Sequence, residues 1–179
     1  MKRHFQSGLS MIEILVTMVL IAGSSLALAG MQLAAVKYNK EASLRSAATL
    51  LAVEISDRMR SNIAGVKAGN YDRNYGYSAA IAASAADPGC GSTSDCTAAT
   101  LAQLDIHNWQ TSLTTALPGG AGAIVKSTTT TFAYTIVVMW QDKSLSDSTN
   151  PLDPTCTNPP LSAWVPVAGV RCFTTTYMP

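Results

Sequence analysis

The residues able to do chemistry are few, and they fall into three groups: one carboxylate in an apolar run, four cysteines, and two histidines. Glu13 stands within G-L-S-M-I-E-I-L-V-T-M-V-L-I-A, Gly8 to Ala22. A charge in such a segment is unfavourable by up to about 2.5 to 3.5 kcal/mol at mid-bilayer and by less near the interface. Its natural companion is a buried cation. The cysteines, Cys90, Cys96, Cys156 and Cys172, all follow the apolar run. An even number in a chain that reads as exported favours disulfides over free thiols. No C-x-x-C is present, which leaves zinc as the lesser alternative. Of the three possible pairings we expect the local ones, Cys90 with Cys96 and Cys156 with Cys172. They close loops whose chain-entropy contributions are roughly 2 and roughly 3 kcal/mol. His4 precedes the apolar run, and His107 neighbours Asp105 on an expected helix, where a surface or packing role outweighs general-base work because no nucleophile motif accompanies it. Asp142, and Asp57 beside Arg58, read as turn or salt-bridge residues. With no G-x-S-x-G, P-loop or H-E-x-x-H, we expect no catalytic residue, no metal, no cofactor and no enzyme.

The element that must position Glu13 is the run itself. Ile14 to Val36 holds no charged residue. As a helix it spans roughly 34 Å, against a hydrocarbon core of about 30 Å. Lys2 and Arg3 before the run predict a cytoplasmic N-terminus, with everything after Lys37 exported. Three readings compete. A secretory signal peptide explains the basic start and the small-residue pattern Ala27-Leu28-Ala29, with a soluble domain released by cleavage after Ala29. A plain anchor explains the length. Neither explains Glu13. A cut between Gly8 and Leu9 does: it creates an α-amine on Leu9, and Glu13 becomes the fifth residue of the helix so begun. In a bundle of such helices one subunit's Glu13 neutralises a neighbour's amine in a low-dielectric interior, and so sets the register.

The remainder suits one small domain. A chain of 179 residues accommodates a compact domain plus an attached element and excludes a large multi-domain enzyme. Hydrophobic residues make up 47% and charged residues 13%, but the apolar excess is concentrated in the first third, so the rest is an ordinary polar domain. A net charge of +1 leaves no basic footprint for nucleic acid, which we exclude as a partner. Leu44, Ala48, Leu51, Ile55 and Met59 recur at steps of three and four, which continues the helix to about Asn62 and turns one face of it toward a globular domain. Lys37 with Glu41, Glu41 with Arg45, and Glu54 with Arg58 are spaced for surface pairs. Gly23, Ser24, Ser25 and Gly30 are its weak points, while Asn62 and Gly65 are stop signals. Gly65 to Ala86, centred on Y-D-R-N-Y-G-Y, reads as an irregular loop whose aromatics pack it. Thr97 caps a second helix carrying Leu101, Ile106, Trp109, Leu113 and Leu117, which L-P-G-G ends. Ala123 to Thr131, Phe132 to Gln141 and Val167 to Tyr177 read as strands of an antiparallel sheet, with a long loop from Lys143 to Pro160.

K-R-H-F-Q-S-G followed by L-S-M-I-E-I-L-V resembles the class III signal of type IV pilins and pseudopilins. D-R-M-R-S-N at 57 to 62, the Cys90 to Cys96 loop before a helix with Trp109, L-P-G-G-A-G and T-I-V-V-M-W-Q-D resemble the PilV type of minor pilin. Leu9 stands where Phe or Met is more usual in that signal. The resemblance implies an α+β pilin-like fold: a long N-terminal helix, membrane-spanning in its first half, packed against a small antiparallel sheet with an αβ-loop and a short second helix. It implies a leader at 1–8, a transmembrane and assembly half at 9–36, and an exported globular domain at 37–179. Prepilin peptidase would cut after Gly8 and methylate the amine of Leu9, and Glu13 would match the family's acidic position. The implied partners are that peptidase, other minor pilins and the major pilin through the helix, a large tip adhesin, and the inner membrane. The implied role is assembly of the pilus at its tip, in support of adhesion or twitching motility. A minor pseudopilin of type II secretion shares the whole N-terminal logic.

Overall fold

A computed structural model describes residues 10–82, 86–90, 95–147, 149–157 and 165–179. The chain divides into two units, Met1–Ser43 and Leu44–Pro179. A single helix, α1, runs Met11–Ser61. It is unbroken at Gly23, Ser24, Ser25 and Gly30. Within it Ser24 folds its hydroxyl back onto the Leu20 carbonyl at 2.8 Å.

The first unit is helix with every described side chain from Met11 to Lys40 exposed. The second unit has a core. From α1 it takes Ala48, Leu51, Ala52, Ile55 and Met59, with Leu44 partly buried, the stripe expected from the spacing. After α1 the chain turns once and resumes as α2, Ile63–Ala68, then α3, Tyr77–Ala82, and α4, Ala98–Ala116. The expected stops at Asn62 and Gly65 are therefore half right. Asn62 ends α1 but caps α2, accepting the Gly65 amide on its side-chain oxygen at 3.1 Å. Gly65 lies inside α2, buried, because a Cβ there would stand 2.9 Å from the Ala98 carbonyl oxygen. The stretch read as an irregular loop thus holds two short helices, and its tyrosines Tyr71 and Tyr77 are buried. Thr97 caps α4 through the Thr100 amide, and Leu117 closes it.

Three strands follow: β1, Ala121–Lys126, β2, Tyr134–Gln141, and β3, Val170–Tyr177, antiparallel in the order β1-β2-β3. The strand expected to run to Thr131 stops at Lys126. Ser127 Oγ accepts the amides of Thr129 and Thr130 at 3.2 and 3.0 Å, and its own amide bonds the Ala133 carbonyl at 2.8 Å. The hydroxyl thereby offers the backbone a turn in place of a ladder. The expected long loop carries a short α5, Lys143–Ser146, and a 3-10 turn, Pro154–Thr157. One face of the sheet packs Ile124, Tyr134, Ile136, Val138 and Trp140 against α1 and α4. The other face packs Ala123, Val125, Val137 and Met139 with Tyr77, Ala80 and the Cys156–Cys172 pair. The central strand is buried on both sides, which is why T-I-V-V-M-W reads as a continuous apolar run. Trp109 locks the layers. Its Nε1–H donates to the Leu51 carbonyl at 2.9 Å, and its ring occupies the space left by Gly122, where a Cβ would approach to 2.3 Å.

Candidate functional site

Glu13 lies in the first turn of α1, where a carboxylate suits the positive end of the helix dipole. Its amide donates to the Ser10 carbonyl at 2.9 Å, and its side chain is exposed. Thr17 and Ser24 bond their hydroxyls to carbonyls of the same helix, at 2.9 Å to Ile14 and 2.8 Å to Leu20. Such internal bonding lets a hydroxyl sit in an apolar medium. Glu13 has no comparable partner among the described residues. Gly8 and Leu9, the expected cleavage and methylation positions, lie outside the described residues. Met11–Ser61 is a helix long and apolar enough, by length and composition, to cross a membrane. At Gly23 and Gly30 a Cβ would meet nothing within 4 Å, which leaves two flat places where another helix can approach closely.

The second unit assembles a polar cluster that sequence reasoning missed. Asn62 Nδ2 donates to the Ala98 carbonyl at 2.8 Å and to Tyr71 Oη at 3.2 Å. The Tyr71 hydroxyl donates to Asp105 Oδ2, and Arg58 stands 3.7 Å from Asp105 Oδ1 while bonding Glu54 at 2.8 Å. Burial first, and then the hydrogen bond to Asp105, raise the Tyr71 hydroxyl far above its usual range, so it stays protonated, donating to Asp105 while accepting from Asn62. Asp105 is buried at 6% exposure. Its signal was legible: it falls on the same helical face as Ala102, Ile106 and Trp109, where an acid demands partners. The cluster ties α1, α2, the Tyr71 turn and α4 together and presents no nucleophile.

The other titratable candidates are also structural. Asp142 caps α5 through the Ser144 amide at 2.8 Å and accepts from Arg171 Nε at 2.5 Å. Burial pushes its carboxyl up, but the Arg171 and Ser144 hydrogen bonds outweigh burial and hold it below the usual carboxylate value. Asp57 pairs with Arg60, at 2.9 Å, rather than with neighbouring Arg58, because residues three apart share a helix face and adjacent ones do not. The cysteines pair as Cys90–Cys96 and Cys156–Cys172, with Cα atoms 5.4 and 5.3 Å apart. No group of three or more His, Cys, Asp or Glu side chains suited to a metal occurs among the described residues.

A family model described as type IV pilin Tt1218, Tt1218-like, matches residues 30–107. Over that stretch the chain is similar to type IV pilins. The matched stretch runs from inside the apolar part of α1 to α4, and it contains Arg58, Asn62, Tyr71 and Asp105, every member of the buried cluster. Neither the curated proteins nor the solved structures yielded a match. Type IV pilins are structural proteins, and a long apolar helix with a small antiparallel sheet is the fold expected of one. The chain thus combines an exposed apolar helical segment with a sheet domain whose β3 is tied to the 3-10 turn by Cys156–Cys172.

Proposed function

We propose that this pilin-like chain is a minor pilin of the PilV type, made as a membrane-inserted prepilin and built into a type IV pilus. One observation carries the reading: from Met11 to Val36 the helix is exposed on every side, and Glu13 is its only charge. Apolar surface of that extent is stable only in lipid or among like helices, and the lone acid needs a cation there. Prepilin peptidase supplies one by cutting between Gly8 and Leu9 and methylating the new amine. In this reading residues 1–8 are the leader, 9–36 the membrane and assembly half, and 37–179 the exported domain. The precursor sits in the inner membrane with its N-terminus in the cytoplasm. The mature subunit joins other minor pilins and the major pilin, with a large adhesin, in the complex that primes the pilus tip, and so supports adhesion or twitching motility.

Mass spectrometry of the mature N-terminus tests the processing step, with a methylated Leu9 as the expected result. A chain beginning at Gly30 would replace the reading with a soluble exported domain. Deletion tests the pathway: loss of pili is expected, whereas blocked protein secretion with pili intact would assign the chain to a type II secretion system as a minor pseudopilin. Glu13→Ala should leave membrane insertion intact and impair assembly.

A further inference from the structure

The two edges of the sheet are finished differently. On β1 the outward N–H and C=O of Ile124 are both taken by Arg73, at 3.1 and 2.7 Å, and the Lys126 amide donates to Asp72 Oδ1 at 3.1 Å. On β3 the register points the N–H and C=O groups of Val170, Cys172, Thr174 and Thr176 away from β2. The first two are covered. The Val170 amide bonds the Val167 carbonyl at 3.2 Å, the Cys172 amide donates to Asp153 Oδ2 at 3.3 Å, and the Thr155 hydroxyl donates to the Cys172 carbonyl at 2.9 Å. The Cys156–Cys172 bond pins that cover in place. At Thr174 and Thr176 it ends. Both residues are exposed, and among the described residues nothing bonds their outward backbone groups.

An uncovered strand edge is a template for another strand, because only an extended backbone matches its alternating donors and acceptors. We propose that the Thr174–Thr176 edge of β3 receives an edge strand from a neighbouring pilin-like subunit of a different kind. The inference rests on the pilin reading. An overlap this short buries far less than the roughly 1,200 to 2,000 Å² of a stable free complex. It suits a neighbour already held nearby by helices sharing one membrane or fibre, where effective concentration substitutes for area. Thr174 and Thr176 themselves carry no charge, so their side chains do not select a charged strand. In a second copy the Ile124 and Lys126 stretch of β1 is already engaged, which blocks head-to-tail pairing along that stretch.

The test uses the full-length chain, carrying a photoreactive benzoylphenylalanine at position 176, in cells that make pili. Irradiation should yield an adduct with another pilin-like protein. Thr174→Pro removes an outward N–H that β2 does not use and should lower the yield about tenfold, whereas Thr174→Val keeps the backbone and should change it less than about twofold. Thr174→Lys, an edge-blocking charge, should repeat the loss if the proline variant proves misfolded by protease sensitivity. No adduct, an adduct only with a second copy or with a protein lacking a pilin-like helix, or equal yields from the valine and blocking variants overturns the proposal. A chain that begins at Leu9 yet gives no adduct removes the strand docking alone. One that begins at Gly30 removes the pilin reading with it.

Discussion

The two units meet water in opposite ways. From Met11 to Ser43 the apolar side chains stand outward, with Leu33 at 77% and Met11 at 83% exposure. In the second unit Ile55, Trp109, Ile136 and Val138 are buried to 2% or less. Both contribute to the same helix, so helical propensity does not separate them. What differs is the pattern. Leu44 to Met59 places apolar residues on one face, and chain folding can satisfy one face. Met11 to Val36 places them all round, and no domain of this size can surround such a segment. The first unit takes its stability from a surrounding medium or from other helices, the second from its own core.

Substitutions that stress each source of stability separately sharpen that contrast. The largest effect is expected from Trp109→Ala, which leaves a cavity beside Gly122 and removes the indole hydrogen bond to the Leu51 carbonyl. A loss of about 3 to 5 kcal/mol should appear as a lower thermal midpoint. A midpoint within a degree or two of wild type would mean that the layers do not depend on this ring. Cys172→Ser comes next, at about 2 to 4 kcal/mol, measured in the same way under oxidising conditions. Asp142→Asn is smaller and depends on pH. The Asp142 carboxyl is held below its ordinary value of 3.8, so its contribution is fully present above about pH 5 and is lost as pH falls through the still lower folded value. The stability difference between wild type and Asp142→Asn should therefore shrink on acidification; a difference that grows instead would refute the Arg171 pairing as its cause. Glu13→Ala should not move the thermal midpoint at all while it impairs assembly. A joint loss of both would abolish the separation between the two units.

Much of the fold was legible because periodicity is a local property. The stripe from Leu44 to Met59, the Thr97 cap, the Trp109 helix and the β-branched run of β2 are written in neighbouring residues, and all appear close to where their spacing puts them. Gly65 misled, because a glycine kept for close approach to Ala98 looks the same as one that ends a helix. The threonine run misled for a related reason: strand propensity at Thr128–Thr131 yields to the Ser127 hydroxyl, which captures two amides. The Asn62–Tyr71–Asp105 cluster as a whole was out of reach, since its members come from three separated segments; only Asp105, on the buried face of α4, gave a local sign of it.

The amino-acid order by itself determined that this chain carries an all-round apolar helix with one acid near its start, and that four cysteines follow it, since both are facts of composition and spacing. Tertiary structure decided which polar groups are consumed and which are left over. Asp105, Asp142 and Asp153 are absorbed by partners distant in sequence, and β1 is closed by Arg73. Among the described residues nothing bonds the outward backbone groups of Thr174 and Thr176, beyond the part of β3 that Asp153 and Thr155 cover. Hydrogen-bond valence is settled only when segments remote along the chain meet, and no local pattern encodes that meeting.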